Sequence, residues 1–527
     1  MKKSNAAFKK NEIYTLKITD LTDLGFGVGR IDGMTVFVSD TVPGDEAEAK
    51  IIKVNSSYLV ARVERFIKRS PDRVDNRCEE YACKSCAYKC IPYQKELAIK
   101  RENVRRAFSA PELKEIEIGE IIGSPSETRY RNKAQYPISV KDGEYAVGFF
   151  APKSHRVTPV NDCPLTPRVF AEITDELKLY FKENNLSVYS EESGEGLLRH
   201  IYLRRGEVSE EILLTLVTNG EHIPNADDLV KRITRRFPAV VGILLNVNCE
   251  FTNIILSDKF ITLWGRDHIF DTLSGVELKI TAPAFYQVNH DCAELLYAKA
   301  KELAAPDKED LILDLYCGAG SIGLSMAKEA REIIGIEIVD SAVECAKLNA
   351  KKNGITNASF YTGDAADTKK LLENAERIRG EKIKPDTVIL DPPRAGSDEA
   401  LLRHIASLSP RKIVYVSCNP KTLARDVIIL QNLGYSAGIV TPVDMFPGTG
   451  HVESVVRLSR KQAILTLKWH FFRRFKRFLS KKMCLKSKTP RNHVGTNDDF
   501  ERSSKLQFTP VWYNISYKNG NLQTRIT

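Results

Sequence analysis

At 527 residues the chain is too long for one ordinary domain, and an apolar content of 43% is enough for large buried cores. No apolar run reaches the ~18 residues of a membrane span, and the opening MKKSNAAFKK lacks the apolar centre of a secretory leader, so a cytoplasmic protein without a membrane span is expected. The net charge of +10 is no argument for nucleic acid by itself: eleven Lys/Arg and no Asp/Glu lie between Lys461 and Arg491, and the rest of the chain is close to neutral.

Residues 1–70 carry short alternating segments broken by glycine: IYTLKITDL, GFGVGRIDG, MTVFVSD, EAEAKIIKV and SYLVARVERFI. They predict a five-stranded OB-like barrel, with the run Gly25, Gly27 and Gly29 at a bend or bulge. Barrels of this size serve either as plain structure or as RNA-binding modules. Residues 71–275 open on four crowded cysteines, Cys78, Cys83, Cys86 and Cys90, a spacing that suits a metal or an iron–sulfur cluster in a chain with no disulfide framework. A helix with a basic face (YQKELAIKRENVRRAF) and then strands with turns follow, giving an α+β middle domain. Within it RYRNKAQYP and APKSHRV interleave basic and aromatic residues, a composition suited to phosphate contact and base stacking.

From about 276 to 460 the runs LILDLY, IIGIEI, TVILD and KIVYVS alternate with helical stretches and predict a doubly wound parallel sheet, closed by two antiparallel strands in AGIVTPVDMF and HVESVVRLS. Residues 461–527 break the pattern and read as a basic, disordered extension.

LILDLYCGAGSIG places a strand directly before a glycine-rich turn and a helix start, where backbone can approach a ligand closely. The spacing is D-x-x-C-G-A-G rather than G-x-G-x-x-G, which disfavours NAD. Glu337 ends the next strand and can accept both hydroxyls of a ribose. Together they favour S-adenosylmethionine. DPPR (391–394) makes a rigid strand-end turn in which Asp391 can face both cofactor and a flat target group.

Cys418, in VSCNPKTLARD, lies at the carboxyl end of a strand, where open α/β sheets build sites. Most buried cysteines are inert packing residues, so its neighbours single it out. Uracil C5 is a poor nucleophile. A thiolate that adds at C6 makes C5 enolate-like and able to take a methyl group, after which a base must remove the C5 proton. Glu453, in PGTGHVESV, is the candidate base, with His451 as its rival, and the glycine-rich loop before them is expected to approach the cofactor.

FYQVN (285–289), LDLYCGAGSIGL, GIEI, DPPRAG, SCNPKTLARD and HVESV together resemble the bacterial RNA 5-methyluridine methyltransferases, those acting on 23S ribosomal RNA and their tRNA-modifying relatives, over about residues 11–460. The resemblance implies a Rossmann-like class I S-adenosylmethionine methyltransferase domain at 276–460. It implies contact of Gln287, Tyr316, Glu337 and Asp391 with S-adenosylmethionine, Cys418 as nucleophile and Glu453 as proton acceptor. The N-terminal barrel resembles a TRAM domain, which with the cysteines favours ribosomal RNA as partner, with tRNA as the alternative, for an enzyme expected to be a monomer. It also implies a [4Fe-4S] cluster on Cys78, Cys83, Cys86 and Cys163. The first spacing is C-x4-C where x5 is usual, Lys84 and Ser85 replace a pair of glycines, and Cys90 is an extra candidate; spacing alone equally allows zinc. A noncatalytic RNA-binding protein is the reading from another class, but degeneration would erode Cys418, Asp391 or Glu337, and all three stand.

Overall fold

The computed structural model describes residues 8–461, apart from 75–77, 79–82, 84, 153, 365–369, 371, 374, 375, 378, 379 and 381, together with two strands near the C-terminus. Those two, Tyr513–Lys518 and Asn521–Ile526, pair as an antiparallel hairpin. The remainder of the predicted disordered extension lies outside the described residues.

The N-terminal barrel consists of β1 (Ile13–Lys17), β2 (Asp20–Leu21), β3 (Gly27–Ile31), β4 (Met34–Ser39), β5 (Glu46–Val54) and β6 (Tyr58–Lys68), in the order β1-β5-β6-β4-β3-β2. Because β1 and β2 are successive parts of one segment, this order closes on itself. The first predicted strand is thus split. Ile18 N–H donates to Asp45 O (2.9 Å) and Thr19 N–H to Val28 O (2.8 Å), so the chain changes partner from β5 to β3. A Cβ on Gly29 would lie 2.5 Å from Leu16 Cδ1, so the glycine run admits the crossing segment. Alternate residues Val36, Val38, Ala49, Ile51 and Leu59 fill the interior.

After α1 (Tyr93–Ala107) come β7 (Lys133–Lys141), β8 (Glu144–Phe150), β9 (Val157–Pro159), α2 (Arg168–Glu183), β10 (Leu198–Arg205), β11 (Ile212–Thr218), α3 (Ala226–Arg236), β12 (Val240–Val247) and β13 (Phe260–Gly265). Their sheet runs β13-β12-β11-β10-β7-β8-β9, and only β11 and β12, joined through α3, are parallel. Ala134, Tyr136 and Ile138 of β7 enter the core beneath α2 and α3. Lys133, Gln135, Pro137 and Ser139 therefore lie on the opposite face.

A hairpin of β14 (His268–Leu273) and β15 (Val276–Thr281) leads into α4 (His290–Ala304), β16 (Leu311–Leu315), α5 (Ser321–Met326), β17 (Glu332–Glu337), α6 (Asp340–Lys352), β18 (Ala358–Thr362), β19 (Thr387–Leu390), α7 (Glu399–Leu408), β20 (Lys412–Ser417), α8 (Pro420–Asn432), β21 (Tyr435–Ala437), β22 (Thr441–Val443) and β23 (Glu453–Arg460). The sheet order is β18-β17-β16-β19-β20-β23-β21, with β16 to β20 parallel. β21 and β22 both pair antiparallel with β23, as two parts of one interrupted edge strand. The expected fold class is present: a Rossmann-like α/β domain preceded by a barrel and an α+β domain. Val104 and Phe108, at the end of α1, bury in one core with Leu313 and Val388. Among the described residues no helix is long and apolar enough to cross a membrane.

Candidate active site

The sheet order reverses between β16 and β19, and the carboxyl ends of parallel strands at such a point form a crevice. Tyr316 follows β16, Glu337 ends β17, Asp391 follows β19 and Cys418 follows β20. β23 runs the other way, so its first residue, Glu453, reaches the same edge. Ser417 pairs with Ser454, which brings the next residue, Cys418, opposite Glu453. Gln287 arrives from the segment before α4. Gln287, Tyr316, Glu337, Asp391, Cys418 and Glu453 all line one pocket of about 800 Å³.

Local sequence explains these positions. Tyr316 sits in the left-handed region (φ 63°), a conformation that costs a non-glycine residue energy and persists where packing enforces it. Glu337 accepts Gly318 N–H on one carboxylate oxygen and Val339 N–H on the other, each at 3.0 Å, which fixes the carboxylate beside the glycine turn. Asn289, last residue of FYQVN, caps α4 by accepting Cys292 N–H at 3.2 Å. Tyr286 is anchored on Asp271 (2.8 Å), while Phe285 is left 70% exposed in the pocket. In NPKTLARD, Asn419 Nδ2 donates to Arg394 O (3.0 Å), and Arg425 donates to Ala395 O (3.1 Å) and Ser397 O (3.0 Å). The motif after the cysteine thus holds the DPPR turn in place.

Burial dominates the electrostatics. It pushes the carboxyl of Asp391 up to about 7, and burial with the charge of Asp391 pushes Glu453 up to about 8. The Cys418 thiol is pushed up to about 11 by burial and then by Glu453 and Asp391, with Arg394 acting in the opposite direction. Asp391, Glu453 and Cys418 thus share one desolvated site, and a cation brought to it favours their ionised forms. His451 precedes β23, is exposed and packs against Phe446 and Arg394 (3.3 Å), and Glu453 rather than His451 lines the pocket.

The glycines of PGTG serve another purpose than the one expected. A Cβ on Gly450 would lie 1.6 Å from Asp23 O of the barrel, and one on Gly448 would lie 4.0 Å from Cys86 Cβ. Gly450 makes room for the barrel, Gly448 leaves ordinary contact distance to the cysteine segment, and the pocket is lined without the loop.

Arg131, Lys133 and Gln135 of the middle domain also line the pocket. The basic and aromatic segment RYRNKAQYP contains them, but nothing in its spacing ties it to a crevice far along the chain. The same three side chains line a second cavity, of about 270 Å³, with Cys78, Cys83, Cys86 and Cys163. Arg129 holds the Cys163 loop through Asp162 (2.5 Å), Cys163 O (3.0 Å) and Thr166 O (2.9 Å). Burial, with charge on Cys163, Cys83 and Cys78 acting in the same direction, pushes the Cys86 thiol up to about 12. Four thiols around one void, with Arg131 and Lys133 beside them, match the donors and the charge balance of a four-thiolate cluster. Among the described residues no group of three His, Cys, Asp or Glu is drawn together tightly enough to hold a metal ion. Cys90 packs instead in an apolar cluster with Tyr88 and Ile91.

Comparison with known proteins agrees with this architecture. Residues 92–461 match the tRNA (Uracil-5-)-methyltransferase family and residues 7–63 the TRAM domain. An uncharacterized RNA methyltransferase of Clostridium acetobutylicum is 39% identical over 86% of this chain and 98% of its own length. One from Halalkalibacterium halodurans is 37% identical over 88% of this chain and 100% of its own. The crystal structure of Pyrococcus abyssi tRNA (uracil-54, C5)-methyltransferase in complex with S-adenosyl-L-homocysteine is similar at a TM-score of 0.67 and 29% identity, covering 84% of this chain and 100% of that one. The chain belongs to the tRNA (uracil-5-)-methyltransferase family of S-adenosylmethionine-dependent RNA uracil-C5-methyltransferases, with a TRAM domain at its N-terminus.

Proposed function

We propose that this enzyme methylates C5 of a uridine in 23S ribosomal RNA through a covalent bond between Cys418 and uracil C6. The observation that carries the chemistry is the antiparallel β20–β23 pairing, which sets Cys418 opposite the buried Glu453 in the pocket shared with Asp391 and Glu337. In this reading the Cys418 thiolate adds to C6, and C5 would take the methyl group as its bond to the sulfonium sulfur breaks, leaving S-adenosyl-L-homocysteine. Glu453 then takes the C5 proton, and the C6–S bond breaks to restore the ring and the thiolate. S-adenosylmethionine supplies the methyl group and carries a positive sulfonium. Gln287, Tyr316, Glu337 and Asp391 are its proposed contacts. Arg394 is a counter-charge that the chain itself supplies to Cys418 and Glu453.

Cys78, Cys83, Cys86 and Cys163 would hold a [4Fe-4S] cluster whose role is structural. The cysteine segment meets the loop before Glu453, where Tyr88 N–H donates to Gly448 O (3.0 Å) and Tyr130 Oη to Pro447 O (2.9 Å). Protein purified without oxygen is expected to be brown and to contain iron, and Cys163→Ala to lose that iron. Stoichiometric zinc without iron overturns the cluster.

The barrel (1–70) and the cysteine-bearing middle domain (71–275) support ribosomal RNA, bound by both and methylated in 276–460, with the enzyme acting as a cytoplasmic monomer. The likeness to the Pyrococcus abyssi tRNA enzyme over most of the chain favours the second reading, a tRNA uridine. Mass mapping of 5-methyluridine in RNA from cells lacking the protein tests the choice. Loss from 23S ribosomal RNA with tRNA unchanged is expected; loss from tRNA alone establishes the second reading.

A further inference from the structure

A separate cleft of about 980 Å³ opens on the middle domain, on the face of the sheet turned away from α2 and α3. β7 runs from one site to the other. Lys133 and Gln135 line the active-site pocket, and Pro137 and Ser139, on the same face of the same strand, line the cleft. From Gln135 to Ser139 is about 13 Å of strand at the usual rise per residue. His200 of β10 pairs with Pro137 and Phe150 of β8 with Val157, which puts both rings on this face.

The cleft is built by a buried arginine. Arg199 donates to Asn248 O (2.7 Å) and Glu250 O (2.8 Å) in one wall and lies 4.1 Å over the ring of Tyr189 in the other. Its charge is thereby engaged. Arg199 also lies 3.8 Å from Glu191, and the two arginines of the lining, Arg156 and Arg199, are matched in number by Glu191 and Glu192, so the cleft offers no surplus of positive charge for a phosphate. It offers rings instead. Phe150 is 40% exposed and Phe251 77% exposed, and Phe150 meets His155 and His200 edge to face, at 5.5 and 6.1 Å. His200 is 94% buried, is held neutral by burial and by Arg199, and has neither ring nitrogen hydrogen-bonded among the described residues. Both nitrogens are closed to solvent, so His200 backs Phe150 with a ring edge and offers an occupant no hydrogen bond.

We propose that this cleft receives the unstacked base of a nucleotide lying within a few positions of the methylated uridine, stacked on Phe150 and Phe251, with the strand between the two sites running along β7 past Arg131 and Lys133. A neutral, flat ligand with a ring face suits the exposed rings of Phe150 and Phe251 where a phosphate does not, and unpaired bases stack on exposed aromatics in this way. The inference rests on RNA as substrate and is independent of the choice between ribosomal and transfer RNA.

The test uses the full-length enzyme and an oligoribonucleotide spanning its mapped uridine, with 5-fluorouridine at that position and a single 2-aminopurine moved through the neighbouring positions. Adduct on a denaturing gel reports the chemistry at Cys418, and 2-aminopurine fluorescence reports the cleft. One position is expected to change its emission on binding. Phe150→Ala and Phe251→Ala should each abolish that change and raise the KM for unlabelled RNA about ten-fold, with kcat and the KM for S-adenosylmethionine unaltered. If adduct forms but no position responds, or if both variants keep the wild-type KM, the cleft does not hold a base. If no adduct forms, the cysteine mechanism fails while the fluorescence still reads the cleft.

Discussion

Cys418→Ala is expected to abolish methyl transfer, by a factor on the order of 10⁴ or more, while S-adenosylmethionine binds as before. The separation follows from geometry. The proposed cofactor contacts come from the ends of β16, β17 and β19 and from Gln287, whereas Cys418 comes from β20. Removing a sulfur from a half-buried strand end leaves the glycine turn and Glu337 untouched. Without the thiolate no C6 adduct forms, C5 keeps its low nucleophilicity, and no other group in the pocket can substitute. Isothermal titration with S-adenosylmethionine and a tritium-release assay on RNA check the two halves of the statement. Cys345→Ala, a buried cysteine of α6 outside the pocket, serves as control and should retain wild-type turnover. Residual turnover of Cys418→Ala near the wild-type rate would remove the covalent mechanism.

Much of this site was legible from sequence because its residues sit at strand ends that the βα pattern marks. LILDLY, IIGIEI, TVILD and KIVYVS correspond to β16, β17, β19 and β20, and each motif begins where its strand stops. What stayed hidden is what depends on contacts between segments far apart in sequence. The approach of Arg131, Lys133 and Gln135 to the pocket is set by the packing of β7 beside the crevice, which no local period encodes. Gly450 looked like a ligand loop and proves to be the space occupied by the Asp23 carbonyl, because a glycine signals close approach without naming what approaches. Cys90 shares the spacing of the other cysteines, yet its side chain joins Tyr88 and Ile91, since spacing fixes distance along the chain and not direction. The break between β1 and β2 was hidden for the same reason: an unbroken apolar alternation does not record a change of partner.

Glu453→Gln should convert the enzyme into one that stops at the adduct. The amide occupies the same volume opposite Cys418 but cannot accept the C5 proton, so methylated uracil stays bonded to sulfur and a protein–RNA species survives denaturation. Turnover should fall by about 10² to 10⁴, the usual range for a lost general base. Normal turnover without adduct would assign the proton to another group. Stability should move the other way. The Glu453 carboxyl is raised to about 8 from an ordinary value of 4.5, so between those values the folded enzyme without ligand holds a proton that the unfolded chain has released. Wild-type stability therefore falls as pH rises through that window, and glutamine removes this part of the dependence. The melting temperature of Glu453→Gln should exceed that of wild type by a margin that widens from about pH 5 to about pH 8 and is then constant, with Asp391, raised to about 7, leaving a common slope in both proteins. A site that is most stable when its base is protonated is one whose acids are held against their preference, and bound S-adenosylmethionine, by bringing a positive charge to them, should narrow that margin. The ligand that starts the reaction would then also ionise the base that completes it.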